Sequence, residues 1–120
     1  MGKSYKYFSK DDTLSHFSGD EDILEVLIKD FLESADELLN EIKRSFSSPR
    51  FEDLEISAHT LKGILKNFFC SELVERAYIL EQMGKNQESS GSDLAYQSLS
   101  EGVKTLCTEL DDFSRELASS

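Results

Sequence analysis

The sequence predicts an all-α fold: an up-down-up-down antiparallel four-helix bundle with a short N-terminal helix. Three observations point there. Apolar residues recur at steps of three and four along most of the chain, the spacing of one helix face. There is one proline in 120 residues. Charged residues make up 31% and apolar residues 38%, which suits helices with one greasy and one charged face. A chain of this length buries roughly two-thirds of the surface it exposes when unfolded, so it needs neither a disulfide nor a metal to fold. One domain over 1–120 is expected, with an ordered core over about 10–118 and an N-terminal arm over 1–9.

The elements follow in order. A short segment over 10–17 reads as one or two helical turns, with Leu14 and Phe17 closing one end of the core. Tyr5 and Tyr7 alternate too briefly to make a strand. The first long helix runs over 20–46. Its stripe reads Ile23, Val26, Leu27, Phe31, Ala35, Leu38, Leu39, Ile42 and Phe46. Asp20 suits its cap and Lys43 and Arg44 its last turns. Ser47-Ser48-Pro49 is a start signal, because proline fits the first helical position. The second long helix then runs over 49–69 with the stripe Phe51, Leu54, Ala58, Leu61, Leu65 and Phe68. Ser71 is the expected cap of a third helix carrying Leu73, Val74, Ala77, Leu80 and Met83. The polar stretch 85–91 is a loop. Ser92 or Asp93 opens a fourth helix with Leu99, Val103, Leu106, Leu110, Phe113 and Leu117.

Composition excludes several functions. No apolar run approaches the ~20 residues of a membrane span, and no apolar stretch follows the N-terminus as in a secretory signal. Position 6 is Lys, which breaks the myristoylation pattern that Gly2 begins. A cytoplasmic protein is expected. The net charge of −11 repels nucleic acid and anionic lipid, so neither is an expected partner. Cys70 and Cys107 are too few for a disulfide framework and read as reduced, mostly structural thiols.

His59 is the oddly placed polar residue. At about 100° per residue it lies about 130° from the middle of its helix's apolar arc, so it points to water. Lys62, Gly63 and Lys66 share its face, forming an exposed strip about 10 Å long. Gly63 costs about 1 kcal/mol relative to Ala inside a helix, and the helix pattern has no use for it. Its missing side chain leaves a notch beside the imidazole, and two lysines there favour an anion. A neutral imidazole is a nucleophile near pH 7, so a phosphoryl group fits the strip.

Ala58-His59-Thr60-Leu61-Lys62-Gly63 resembles the A-H-x-L-K-G motif of histidine-containing phosphotransfer (HPt) domains. Phe17-Ser18-Gly19-Asp20-Glu21 with Leu24, Leu27 and Phe31 is similar to that family's entry into its first long helix. Leu73, Ala77 and Leu80-Glu81 are similar to its third-helix pattern. The resemblance covers about 10–118. It implies that His59 carries a phosphoryl group on Nε2, that Lys62 stabilises the phosphate charge, and that Gly63 gives a receiver domain room to approach. Lys66 joins them through helical geometry alone. The implied function is a phosphorelay intermediate between receiver-domain aspartates of a two-component signalling system, without ATP-dependent kinase activity. No Walker-type or kinase glycine loop is present in the sequence, and no cofactor is expected. Mg²⁺ would belong to the receiver domain of the response regulator or hybrid histidine kinase that docks.

The sequence departs from the family after the motif. Phe69 stands where many members have a second glycine, and Ile64 lies at the edge of the exposed strip. A greasier, bulkier docking face is expected, with Ile64 and Phe69 on its rim and Glu55, four residues before His59, near enough to pair with it. These residues also leave open a rival: a non-catalytic adaptor or decoy that binds a receiver or kinase without phosphotransfer. A di-iron centre is rejected, since position 56 is Ile and position 13 is Thr where Glu-x-x-His motifs would be needed. Cys70 is about three turns from His59, too far for a nucleophile–base pair, and His16 reads as a solvated histidine. Met1 and the bare ends suggest a separate protein, and the exposed notch suggests a monomer.

Overall fold

The computed structural model describes residues 4–47 and 50–119, the side chain of Ser47 excepted. The helices are α1 (Lys10–His16), α2 (Glu21–Ser47), α3 (Phe51–Leu65), α4 (Ser71–Lys85) and α5 (Ser92–Ala118), with a 3-10 turn (Lys66–Phe68) after α3. The long helices close a ring in which α2 packs on α3, α3 on α4, α4 on α5 and α5 back on α2. Short connections between such neighbours make the bundle antiparallel. Its longest dimension is 47 Å, the scale set by two 27-residue helices at 1.5 Å per residue.

Three stripes read from the sequence are the ones buried. Leu54, Ala58, Leu61 and Leu65 of α3, Leu73, Ala77 and Leu80 of α4, and Leu99, Val103, Leu106, Leu110 and Phe113 of α5 fill the interior. The stripe of α2 needs correction at its first turns. Leu24 and Ile28 are buried, whereas Ile23 and Val26 are 54% and 58% exposed. Apolar residues there surround the helix on several sides, so periodicity allows two registers. The core takes the one continuous with Phe31, Ala35, Leu39 and Ile42.

The end of α3 also differs from expectation. The α-helix stops at Leu65 instead of running to Phe69, tightens into the 3-10 turn, and reverses at Phe69, whose φ of 51° is left-handed. That conformation favours glycine, a physical reason for the glycine common at this place. Cys70, not Ser71, occupies the cap position of α4. Its thiol donates to the Leu65 carbonyl at 3.1 Å, closing the reversal. The Ser48-Pro49 start signal lies outside the described residues, and α3 begins at Phe51 with Arg50 before it.

The core begins before Lys10. Tyr7 and Phe8 are buried, and Phe8 packs on Phe113 with ring centroids 4.9 Å apart. The backbone amides of Lys6, Tyr7 and Phe8 all donate to the Glu109 carboxylate of α5. The Ser9 amide donates to the Phe68 carbonyl at 3.3 Å. Residues 6–9 thus tie α5 to the end of α3, with α1 packed on the 3-10 turn.

Candidate functional site

Glycine sets how closely α3 and α4 approach. A Cβ on Gly84 would lie 2.6 Å from the Glu55 backbone nitrogen and 2.7 Å from the Phe51 carbonyl oxygen. Only a residue without a side chain lets the two backbones meet there. One turn back along α4 from Gly84 is Glu81. One turn forward along α3 from Glu55 is His59. Because the helices are antiparallel, these steps run the same way in space, and the seam at Gly84 brings Glu81 beside His59 and Lys62.

The result is a fork. Glu81 Oε2 lies 3.1 Å from His59 Nδ1, and Oε1 lies 2.7 Å from Lys62 Nζ. The Glu81 and Lys62 side chains are only 13% and 14% exposed, whereas His59 is 67% exposed. Burial pushes the Glu81 carboxyl up, but Lys62 and His59 outweigh it and hold the group below the usual carboxylate range. An ionised carboxylate only accepts hydrogen bonds, so the neutral His59 ring presents N–H at Nδ1 to Glu81. Its lone pair is then on Nε2, on the exposed ring.

Beside the imidazole the surface is open. A Cβ on Gly63 would meet nothing within 4 Å. The fold therefore gives no packing reason for a glycine that costs the helix about 1 kcal/mol. Lys66 is exposed at the start of the 3-10 turn, one residue beyond the end of α3. Lys62 is not free: its ammonium is paired with Glu81 and lies 5.0 Å from the Tyr78 ring centroid.

The other expected site residues scatter. Glu55 is half-buried under the Gly84 seam, and the carboxylate that meets His59 is Glu81 from α4 instead. Ile64 is half-buried against the core. Phe69 is partly exposed and packs edge-on against His16 at 5.6 Å. Ile56, three residues before His59, is an exposed apolar side chain that the sequence reading used only to reject a metal. Glu81 stood in the sequence only as part of the third-helix resemblance and Tyr78 had no signal, since nothing within α4 says which helix it faces. Gly84 did: it is a glycine inside a helix, the same signal that singled out Gly63.

Among the described residues no group of three His, Cys, Asp or Glu side chains could hold a metal ion. No helix among them is long and apolar enough to cross a membrane. Burial pushes the Cys70 thiol up to about 12 and the Cys107 thiol to about 11, so neither is a thiolate nucleophile near neutral pH.

The bundle thus presents an exposed histidine whose Nδ1 meets a mostly buried carboxylate. The Hpt domain family matches residues 26–116, and the chain belongs to that family. It is a phosphotransfer protein of phosphorelays, not a kinase. The fold is similar to the crystal structure of histidine-containing phosphotransfer protein B (HptB) from Pseudomonas aeruginosa PAO1. The TM-score is 0.86 at 17% identity, covering 94% of this chain and 98% of that one. A sequence search of curated proteins finds no match to the chain.

Proposed function

We propose that His59 is the phosphorylated residue and that it relays a phosphoryl group to and from aspartates of receiver domains. The observation that carries this reading is the pinning of Nδ1 by Glu81 while the ring stays exposed. In the forward step the Nε2 lone pair attacks the phosphorus of an aspartyl phosphate. The N–P bond forms, the acyl P–O bond breaks, and aspartate leaves as a carboxylate. The ring keeps its Nδ1 proton and becomes cationic, and the Glu81 carboxylate balances that charge. In the reverse step an aspartate attacks phosphorus and Nε2 recovers its lone pair. No proton has to move in either direction.

Gly63 leaves the floor on which a receiver's active site approaches. Lys66, exposed and without an ion-pair partner among the described residues, offers positive charge to the phosphate. Lys62 adds its field from beneath, through Glu81. Mg²⁺ belongs to the receiver, and a cytoplasmic, monomeric protein fits the need for an open notch.

The test is transfer of labelled phosphate from a phosphorylated receiver, with His59→Gln as control. Acid-labile label on the wild type and none on the variant is the expected result. Receiver binding without label on either protein would overturn the relay and leave an adaptor.

A further inference from the structure

Lys62 on α3 and Lys66 in the 3-10 turn that follows it are held differently. A lysine ammonium is a strongly hydrated charge on a flexible stem, and an ion pair in water holds it weakly. Lys66 is exposed to solvent and has no ion-pair partner among the described residues. Lys62 is mostly buried, 2.7 Å from Glu81 on one side and 5.0 Å from the centroid of the Tyr78 ring. Tyr78 precedes Glu81 by three residues on α4, so the carboxylate and the ring share one helix face. Both reach the same ammonium. A cation within about 6 Å of an aromatic centroid is attracted by the ring's negative face, more so where water is excluded.

We infer that Tyr78 is a positioning residue for the phosphotransfer histidine, acting through Lys62 and Glu81. This rests on the reading of His59 as the phosphoryl carrier. The ring holds the ammonium against Oε1 of Glu81. That contact keeps Glu81 ionised and turned so that Oε2 accepts from His59 Nδ1. The Nδ1 proton in turn leaves Nε2 as the nucleophile. Without the ring, Lys62 swings toward solvent, Glu81 loses the larger of the two interactions that hold it ionised, and the His59 tautomer is no longer enforced. Lys62 therefore serves the imidazole chiefly from behind, and direct contact with the phosphate falls to Lys66.

Tyr78→Leu removes the ring and keeps an apolar side chain, while Tyr78→Phe keeps the ring and removes only the hydroxyl. The first readout is the His59 tautomer, from two-bond nitrogen–proton NMR correlations at a pH where the ring is neutral. The second is the rate of phosphorylation by phosphoramidate, a small donor that needs no docking surface. The wild type and Tyr78→Phe should show the Nδ1–H tautomer and equal rates. Tyr78→Leu should show a mixture of tautomers and a rate about two- to fivefold lower, the range expected for one cation–π contact to a partly exposed ring. An unchanged tautomer and rate in Tyr78→Leu would overturn the proposal. So would a Tyr78→Phe variant as impaired as Tyr78→Leu, which would assign the effect to the hydroxyl. If no protein takes phosphate, the wild type included, the relay reading fails by itself, and the tautomer comparison still decides the role of Tyr78.

Discussion

Gly63 and Gly84 sit on adjacent helices, about two turns apart along the bundle, and are glycine for opposite reasons. At Gly84 a side chain has no room, because the α3 backbone lies within 2.9 Å of where a Cβ would be. At Gly63 it has all the room it could use. The first glycine is needed by the folded chain itself. The second is a cost that the folded chain alone does not explain, and it becomes intelligible only when another molecule comes to that face. The contrast separates a glycine that the packing requires from one that the packing leaves unexplained, and the proposed approach of a receiver would account for the second.

Substitution should pull the two apart. Gly84→Ala drives a methyl group into backbone that cannot step aside. An overpacking cost of about 1–3 kcal/mol, or more here, should outrun the gain of about 1 kcal/mol in helix propensity. A net loss of about 2 kcal/mol is expected, read as a fall of roughly 8 °C in the melting temperature. The same variant should loosen the Glu81–His59 contact, visible in the histidine ring NMR signals.

Gly63→Leu should do the reverse. The protein should gain up to about 1 kcal/mol of stability, while transfer from a phosphorylated receiver falls about tenfold, or about 1.4 kcal/mol of barrier. Phosphorylation by phosphoramidate should change much less. Equal loss with both donors would mean that the leucine disturbs the imidazole itself and not the approach of the partner.

Gly102 sharpens the comparison from within the core. A Cβ there would meet Leu73 Cδ2 and Arg76 Nη1, both ends of side chains. Because these can shift, Gly102→Ala should stay within about 1 kcal/mol of the wild type in denaturant unfolding. A loss as large as that of Gly84→Ala would show that side-chain ends at this seam are as unyielding as backbone.

The smallest effect concerns pH. Because the folded-state pKa of Glu81 is lowered, the ionised group contributes stability that is present above the usual carboxylate pKa. That stability is lost as pH falls through the depressed folded value. The stability difference between wild type and Glu81→Gln should therefore be largest near neutral pH and shrink in acid below the usual carboxylate range. A difference that persists unchanged there would mean that shape, not charge, makes Glu81 useful.

The amount that the sequence revealed differs from helix to helix. On α3, His59 and Gly63 could be placed on the exposed side by counting residues, because a helix has one repeat and its core stripe was unambiguous; Lys62, expected beside them, is only 14% exposed against Glu81, and Lys66 falls in the 3-10 turn beyond the helix. On α2 the same counting failed at Ile23 and Val26, where apolar residues on several sides left the register to be chosen by neighbouring helices. Phe69 was recognisable as a departure, but its left-handed backbone was not, since no local pattern in 66–70 marks a 3-10 turn.

Within one helix, the order of residues determines which side chains share a face, so the sequence by itself sufficed for the stripes of α3, α4 and α5 and for the exposed side on which His59 and Gly63 lie. It also determined the chemistry available there: an imidazole, two lysines and a missing side chain. Which groups meet across helices was decided by tertiary structure. Glu81, Lys62 and Tyr78 converge because α3 and α4 touch backbone to backbone at Gly84, a contact between residues 29 positions apart in the case of Glu55 and Gly84. The relative height and rotation of two packed helices depend on the fit of the whole seam, and no periodicity in either helix contains that fit.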